Sequence, residues 1–395
     1  MHTVVLGAGI IGISTAWHLL ERGHEVIVID RQPDAALETS FANAAQISVS
    51  YCEPWANREA PLKALKWMFD KEAPLLFRPQ MDWQQWRWGL QFLAQCNDAA
   101  FERNVQQIVA LGAYSHAALK DLVSTTGIEY NRLERGIAHF YTDQKSFDAA
   151  GHAVELMRRH GVQRRLVSRD ELLQIEPAFK AYGDKITGGT YTSTDESGDA
   201  RVFTQELARR CIARGAQFLY GHDVLRLNKI GNAIDSVAVM PKQTSAGGKK
   251  DFILKADAVV VACGSYSAPL LRSMGVDLPI YPGKGYSATF PLLKPEGAPM
   301  VSTIDDGKKI AMSRLGNHLR VAGTIELNGW DLTLDSSLAR ARCHMLSRRI
   351  EAILPGVCDT RTPEEGGDPQ FWTGLRPATP TNIPLIGRTK VGKLW

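Results

Sequence analysis

Apolar residues along this chain follow two periods, and the switches between them outline its elements. The runs "VVL" at 4–6 and "VIVI" at 26–29 are short and continuous, whereas "IIGISTAWHLL" between them spaces its apolar positions as one face of a helix does. The pattern predicts a strand over 4–6, a tight turn through Gly7, Gly9 and Gly12, a helix over 13–22 stopped by Gly23, and a second strand over 25–29. Downstream the periodicity is helical through a tryptophan-rich region (Trp67, Trp83, Trp86, Trp88) and on to about residue 126. Next come a strand over 136–142, a helix over 147–160, and a stop at Pro177. "VFTQELARRCIARGAQFLYGHDVLRL" (202–227) predicts a helix, a stop at Gly215 and a strand; further strands follow in "GNAIDSVAVM" and "DFILKADAVVVACGSYS". The run 258–262 is apolar throughout, as in a parallel strand covered on both faces. Alternation over 278–322 predicts an antiparallel sheet, and 338–354 a helix closed by Pro355 and Gly356. "SAGGKK" (245–250) reads as a hairpin loop, and no repeat or low-complexity linker interrupts the chain.

The glycine turn is the first segment with a chemical reading. Gly7 permits the sharp exit from the strand, Gly9 lets a pyrophosphate approach the backbone, and Gly12 lets helix and strand pack closely. The helix N-terminus favours an anion. Asp30, ending the second strand, is placed to accept hydrogen bonds from ribose hydroxyls and would repel a 2′-phosphate, which counts against NADP. A purely structural glycine turn is the competing reading; the strand before, the helix after and the distance to the acid favour a dinucleotide. The nucleotide pattern is then abandoned and rejoined near residue 202. A nicotinamide domain is usually contiguous, so the interleaving favours FAD, which lies extended toward a second domain, over an NAD-linked dehydrogenase.

Bulk properties narrow the class. A chain of 395 residues with 44% hydrophobic residues can bury a large core and suggests two domains. Its 46 basic and 42 acidic residues leave a net charge of +4, too balanced to point to nucleic acid. The six cysteines are scattered with no C-x-x-C pair, so neither a disulfide frame nor a metal site is expected. No run approaches the roughly 20 apolar residues of a membrane span, and no secretory signal opens the chain. A cytoplasmic protein is expected. The tryptophan stripe reads as core, with contact of its "LKALKWMF" end with a membrane surface as the alternative.

The motifs "LGAGIIG", "DRQPDAALETSFANAAQIS", "PLKALKWMF", "TGG" followed by "DESGD", "ACGSYS", "YPGKGYS" and "FWTGLRPATP" occur in one order from Met1 to Trp395. In them the chain resembles the FAD-dependent D-amino acid dehydrogenase family (small subunit), within the group that includes glycine oxidase and D-amino acid oxidase. The resemblance implies an α/β fold in which a Rossmann-like FAD-binding domain of glutathione-reductase type (1–50, 150–276, 362–395) is interleaved with an α+β substrate domain built on an antiparallel sheet (51–149, 277–361). It implies FAD contacts at Gly7, Gly9, Ile10, Ile11, Gly12, Asp30, Arg31, Thr39, Ser40, Asn43, Ala44, Gln46, Val224, Ala262, Cys263 and Gly264. Arg376, in "GLRP", would grip the substrate carboxylate, and Tyr286, in "GKGYS", would form an aromatic wall or hydroxyl donor.

Plainer readings stand beside these roles. Thr39, Ser40 and Asn43 are also ordinary cap and turn residues, Arg376 a surface arginine, Tyr286 core, and His139 a packed histidine rather than a base. The activity implied is oxidative deamination of a D-amino acid such as D-alanine, with electrons passed to a quinone or other respiratory-chain acceptor. Attachment to the cytoplasmic face of the inner membrane goes with it. A related glycine, sarcosine or hydroxyproline oxidase, or a flavoprotein of little activity, remains the alternative. Two departures accompany the resemblance: Ala45 stands where glycine is usual, and relatives continue beyond "VGKLW" into a helix that closes over the flavin.

Overall fold

The computed structural model describes residues 1–67, 70, 73–242 and 250–395. The expected hairpin loop of "SAGGKK", but for Lys250, and Met68 and Phe69 of "LKALKWMF" lie outside the described residues.

Val4, Val5 and Leu6 of the first strand, His2–Leu6, have no solvent exposure, so the strand is covered on both faces. It pairs in parallel with Glu25–Asp30 on one side and Ala258–Val261 on the other, and Gln217–Tyr220 adds a fourth parallel strand beyond Glu25–Asp30. Residues 393–395 run along the outer edge, where Val261 N donates to Trp395 O (2.7 Å) and Trp395 N to Val259 O (2.9 Å). Helices Ile10–Glu21 and Ala200–Ala213 cover one face through Ile13, Trp17, Phe203 and Leu207. The three-stranded antiparallel sheet His222–Ile230, Ala233–Pro241 and Phe252–Lys255 covers the other.

A second, nine-stranded sheet carries the order Gln370–Ala378, Tyr281–Pro291, His318–Leu327, Ile310–Leu315, Ser302–Asp305, Ile137–Tyr141, Gly188–Thr192, Arg165–Ser168, with Leu75–Phe77 beside His318–Leu327. It is mostly antiparallel, as its alternating sequence predicts, but two pairs are parallel: Ser302–Asp305 with Ile137–Tyr141, and His318–Leu327 with Leu75–Phe77. Strands Arg165–Ser168, Gly188–Thr192 and Gln370–Ala378 fall in stretches that the expected division groups with the nucleotide unit, yet they hydrogen-bond into this sheet. Helix Ser337–Ile353 seals one face through Leu346, Ile350 and Ile353, packed among Phe140, Phe290 and Met312.

The tryptophan-rich region is not simply core. On helix Trp83–Gln95, Trp88 is buried and donates Nε1–H to Ala378 O (2.9 Å), while Trp83 and Trp86 are exposed. A helix with one buried face can carry tryptophan on both sides, and the periodicity alone does not show which side is covered.

Gly7 and Gly12 are the tightest points of the nucleotide unit. Gly7 has φ +101° and a Cβ there would lie 2.5 Å from Ala262 O; a Cβ on Gly12 would lie 1.8 Å from Gly7 O. Gly12→Ala is therefore expected to destabilise the protein by at least about 1–3 kcal/mol through overpacking. Urea unfolding checks this, and a midpoint equal to that of the unaltered protein would show that helix and turn can part freely.

Candidate active site

The C-terminal ends of the parallel strands converge where ligands bind in open α/β sheets. Three loops meet there: the turn at 7–9, Asp30 with Arg31, and Ala262–Gly264. Asp30 Oδ2 accepts from Ala8 N (2.6 Å) and Oδ1 from Gln32 N (2.8 Å). Its carboxylate thus locks the glycine turn to the end of the second strand, and each oxygen keeps a lone pair for a further donor. Burial pushes this carboxyl above the ordinary aspartate range, against the pull of the two N–H groups. Arg31 stacks on Tyr266 (3.9 Å to the ring centroid) and pairs with Glu38 (2.7 Å). Ala262 N donates to Leu6 O (2.8 Å), and burial raises the Cys263 thiol to about 12, so it stays protonated. Gly264 has φ +54° and open space beside it. Val224 lies near the start of the strand that packs beside Glu25–Asp30.

Above the turn, helix Ile10–Glu21 begins with no side-chain cap. Ile10 N donates to Ser40 Oγ (3.1 Å), and Ile11 is exposed. A Cβ on Gly9 would meet only Ser40 Oγ, at 3.4 Å. The protein itself would tolerate a side chain at Gly9, unlike Gly7 and Gly12, so the space in front of it is free for a ligand.

Residues 39–46 run between the two sheets and are fastened to the second one. Thr39 Oγ1 donates to Leu375 O (2.9 Å), Ser287 Oγ to Ala42 O (2.7 Å), Arg320 NH1 to Asn43 O (3.2 Å), Ser313 Oγ to Ala44 O (2.9 Å) and Gln46 Nε2 to Ser302 Oγ (2.8 Å). Asn43 Oδ1 accepts from Ala45 N (3.0 Å) and tightens the turn. Ala45 is buried with φ +56°. Its left-handed backbone is the physical reason for glycine at this place, because a Cβ costs about 1–2 kcal/mol there.

Arg376 lies on Gln370–Ala378, opposite Gly283. Its neighbour Leu375 offers a carbonyl that accepts from both Thr39 Oγ1 and Ser265 Oγ (3.3 Å), so the strand is gripped beside the arginine by both nucleotide-side loops. Arg376 is reached by solvent yet ringed by protein, as a group lining a cleft is, and those surroundings pull its pKa below the usual arginine value. Its guanidinium lies over Trp55 (5.2 Å to the ring centroid). Among the described residues it has no carboxylate partner.

Tyr286 is a correction. It sits on the opposite face of its strand, 2% exposed in the core beneath helix Ser337–Ile353, and its hydroxyl donates to Glu326 Oε2 (2.6 Å). Strand residues alternate between faces, so Ser287 points to the cleft and Tyr286 away from it. His139 is buried, and burial draws its pKa to about 4, so it is neutral at pH 7. Tyr51 and Trp55, whose rings meet Lys309 and Arg376, carry no sequence motif and are legible only in three dimensions. A surface concavity of about 750 Å³, bordered by His2, Ile27, Ile230 and Lys255, lies at the opposite end of the first strand from the glycine turn.

Comparison with known families matches residues 2–395 to DAO, FAD dependent oxidoreductase. The chain belongs to this family of FAD-dependent oxidoreductases. Within the curated proteins, this DAO-family chain is 47% identical over 395 residues to a D-amino acid dehydrogenase of Dechloromonas aromatica, covering 100% of this chain and 91% of that one. It is 42% identical to another of Cereibacter sphaeroides, covering 100% and 86%. The fold is shared with glycine oxidase from Geobacillus kaustophilus (TM-score 0.69, 19% identity, 99% of this chain and 87% of that one). It is shared also with L-proline dehydrogenase from P. horikoshii (TM-score 0.67, 18% identity, 100% and 86%). The residues present fit the family's cofactor: an open cradle at Gly9, a helix start whose N-cap residue brings no side chain, and an aspartate with spare lone pairs.

Two substitutions separate fold from cofactor. Gly9→Ala is expected to leave the thermal midpoint of the FAD-free protein unchanged and weaken FAD binding at least tenfold, measured by flavin fluorescence quenching. Ala45→Gly is expected to raise stability by about 1 kcal/mol, the relief of left-handed strain less the added chain entropy of glycine. A lowered midpoint would place the Ala45 methyl in a contact worth more than its strain.

Proposed function

We propose that this protein oxidises D-amino acids to 2-oxo acids and ammonia and hands the electrons to a quinone-type acceptor. The observation that carries the reading is Arg376, an accessible guanidinium with no carboxylate partner among the described residues, set over Trp55 and next to the Leu375 carbonyl that takes Thr39. Relatives 42–47% identical over the whole chain and named D-amino acid dehydrogenase support the substrate class.

The roles follow from the placement of the residues. Arg376 takes the substrate carboxylate with two parallel N–H donors, and Trp55 beneath it holds the plane of the fork. Thr39 and Ser265, through Leu375, fix where that fork stands relative to the cofactor segment. Gly7, Gly9, Ile10, Ile11 and Gly12 would hold the pyrophosphate at the helix start, Asp30 the ribose, Arg31, Val224 and Ala262–Gly264 the adenosine side, and Thr39 to Gln46 the chain leading to the flavin. FAD, when bound, supplies the electron chemistry by accepting the α-hydrogen with its electron pair. The imino acid left behind adds water and releases ammonia. No side chain is required as base once the neutral amine is presented.

Among the described residues no helix is long and apolar enough to cross a membrane. The exposed face of helix Trp83–Gln95 carries Trp83, Trp86, Leu90 and Leu93 at positions i, i+3, i+7 and i+10, with Met81 exposed beside them. This stripe suits a bilayer surface, where tryptophan is favoured and where quinones dissolve. Its buried side reaches Ala378, two residues from Arg376.

Arg376→Lys, which keeps charge but loses the fork, is expected to retain FAD and lose most of kcat/KM for D-alanine; Arg376→Ala should lose more, about 2–5 kcal/mol. Near-normal kcat/KM in Arg376→Ala would place the carboxylate clamp elsewhere. A soluble quinone analogue should reoxidise the substrate-reduced protein much faster than dioxygen, and stoichiometric hydrogen peroxide at full rate would make it an oxidase. Trp83→Ser with Trp86→Ser should abolish co-flotation with vesicles containing anionic lipid; unchanged flotation would move the contact elsewhere.

A further inference from the structure

The segment 51–55 touches two cations carried by different strands of the second sheet or its turns. Trp55 lies under Arg376, and the Tyr51 ring stands 5.8 Å from Lys309 Nζ. Tyr51 also acts electrostatically on Arg376, so its ring neighbours both cations. The stretch is held firmly. Asp195 accepts from Ser48 Oγ (2.6 Å), Ser50 Oγ (2.5 Å) and Val49 N (3.2 Å). The buried Arg164 donates to Ser50 O (3.3 Å) and Glu53 Oε1 (3.0 Å), and Trp55 N to Asn382 Oδ1 (3.0 Å).

Lys309 closes the turn between Ser302–Asp305 and Ile310–Leu315 with φ +53°, a conformation that glycine or asparagine would take with less strain. Its ammonium is 2.9 Å from Asp306 Oδ2 and also meets the Tyr51 hydroxyl, which leaves one of its three donors for a further acceptor. The side chain is 43% accessible although protein surrounds it, the same combination that marks Arg376. Burial works against its charge, but Tyr51 and Asp306 outweigh that and hold its pKa above the ordinary lysine value. Behind the pair sits His139, its Nδ1 3.6 Å from Asp306 Oδ1, its ring edge-on to Tyr51 at 4.6 Å, and neither ring nitrogen hydrogen-bonded. The mechanism above uses none of these groups.

We propose that Lys309, anchored by Asp306, forms the far end of the substrate cleft and binds a hydrogen-bond-accepting group, a carboxylate or amide, on the side chain of the amino acid held at Arg376. The assignment rests on the amino-acid reading of the Arg376 site. It makes Lys309 a specificity-determining residue: the α-carboxylate is common to all substrates, and the second cation discriminates among their side chains.

Calorimetric titration with glutarate and butanoate, in the presence of excess FAD, tests this without turnover. The unaltered protein is expected to bind glutarate at least tenfold tighter than butanoate, and Lys309→Met to erase the difference. Lys309→Gly, suited to the left-handed backbone, should erase it equally while keeping or raising the thermal midpoint, which separates a lost contact from a lost fold. Equal affinities in the unaltered protein, or a preference that survives both substitutions, overturns the proposal. D-Alanine turnover is a separate readout. Turnover without a glutarate preference rejects the Lys309 subsite alone; a Lys309-dependent preference without turnover of any D-amino acid upholds the subsite and rejects the D-amino acid reading.

Discussion

Gly12 and the carbonyl of Gly7 approach so closely that no side chain can stand between them, and this contact sets where the first helix begins relative to the first strand. From it follow a helix start whose N-cap residue brings no side chain, the open space at Gly9 and the reach of Ala8 N to Asp30. The aspartate completes the lock by tying the turn to the neighbouring strand. The open space in front of Gly9 is thereby framed mostly by backbone, with Gly7 and Gly12 as the two positions where a side chain cannot stand. Such a site is rigid before any ligand arrives, which lowers the ordering cost of binding.

The second sheet adds what the nucleotide unit lacks. Its hydroxyls and one guanidinium, from Ser287, Ser302, Ser313 and Arg320, are fastened to residues 42–46. They satisfy the carbonyls of residues 42–44 and the side-chain amide of Gln46, polar groups that would otherwise be costly to bury. Because the same sheet carries Arg376, that guanidinium and residues 42–46 are positioned by one framework. Proximity of this kind is the main contribution a protein makes when the cofactor carries the electron chemistry.

Three buried charges adjoin residues 47–53. Asp195, Glu196 and Arg164 are almost fully enclosed, and each is compensated: Asp195 by two serine hydroxyls, Glu196 by Arg132 (2.6 Å) and His116 (3.0 Å), Arg164 by Glu53. Enclosed pairs of this sort add little net stability. Here they fix the positions of 48–53 and of the strand Glu196–Ser197, which lies against Gln46–Ile47. Arg376 and Lys309 differ in being accessible with donors to spare, and that difference separates structural charges from those available to a ligand.

The glycine turn, Asp30 and the return of the nucleotide pattern could be read from the chain alone, because each is written in neighbouring residues or in a local period, whereas the reading of Arg376 rests on the family resemblance of "GLRP". Local backbone preference and hydrophobic periodicity act over a few residues and leave a local trace. Other features leave none. The strands Gly188–Thr192 and Gln370–Ala378 join the second sheet through partners far away in sequence. Tyr286 reads equally as cleft wall or as core, because alternation says only that two faces exist, and packing against helix Ser337–Ile353 decides which is core. Tyr51, Trp55 and Lys309 share no motif; Trp55 meets Arg376 and Tyr51 meets Lys309 only because the fold brings distant segments together. Local steric rules determined the cofactor turn from the sequence by itself; long-range strand pairing, which no local pattern encodes, decided what faces it.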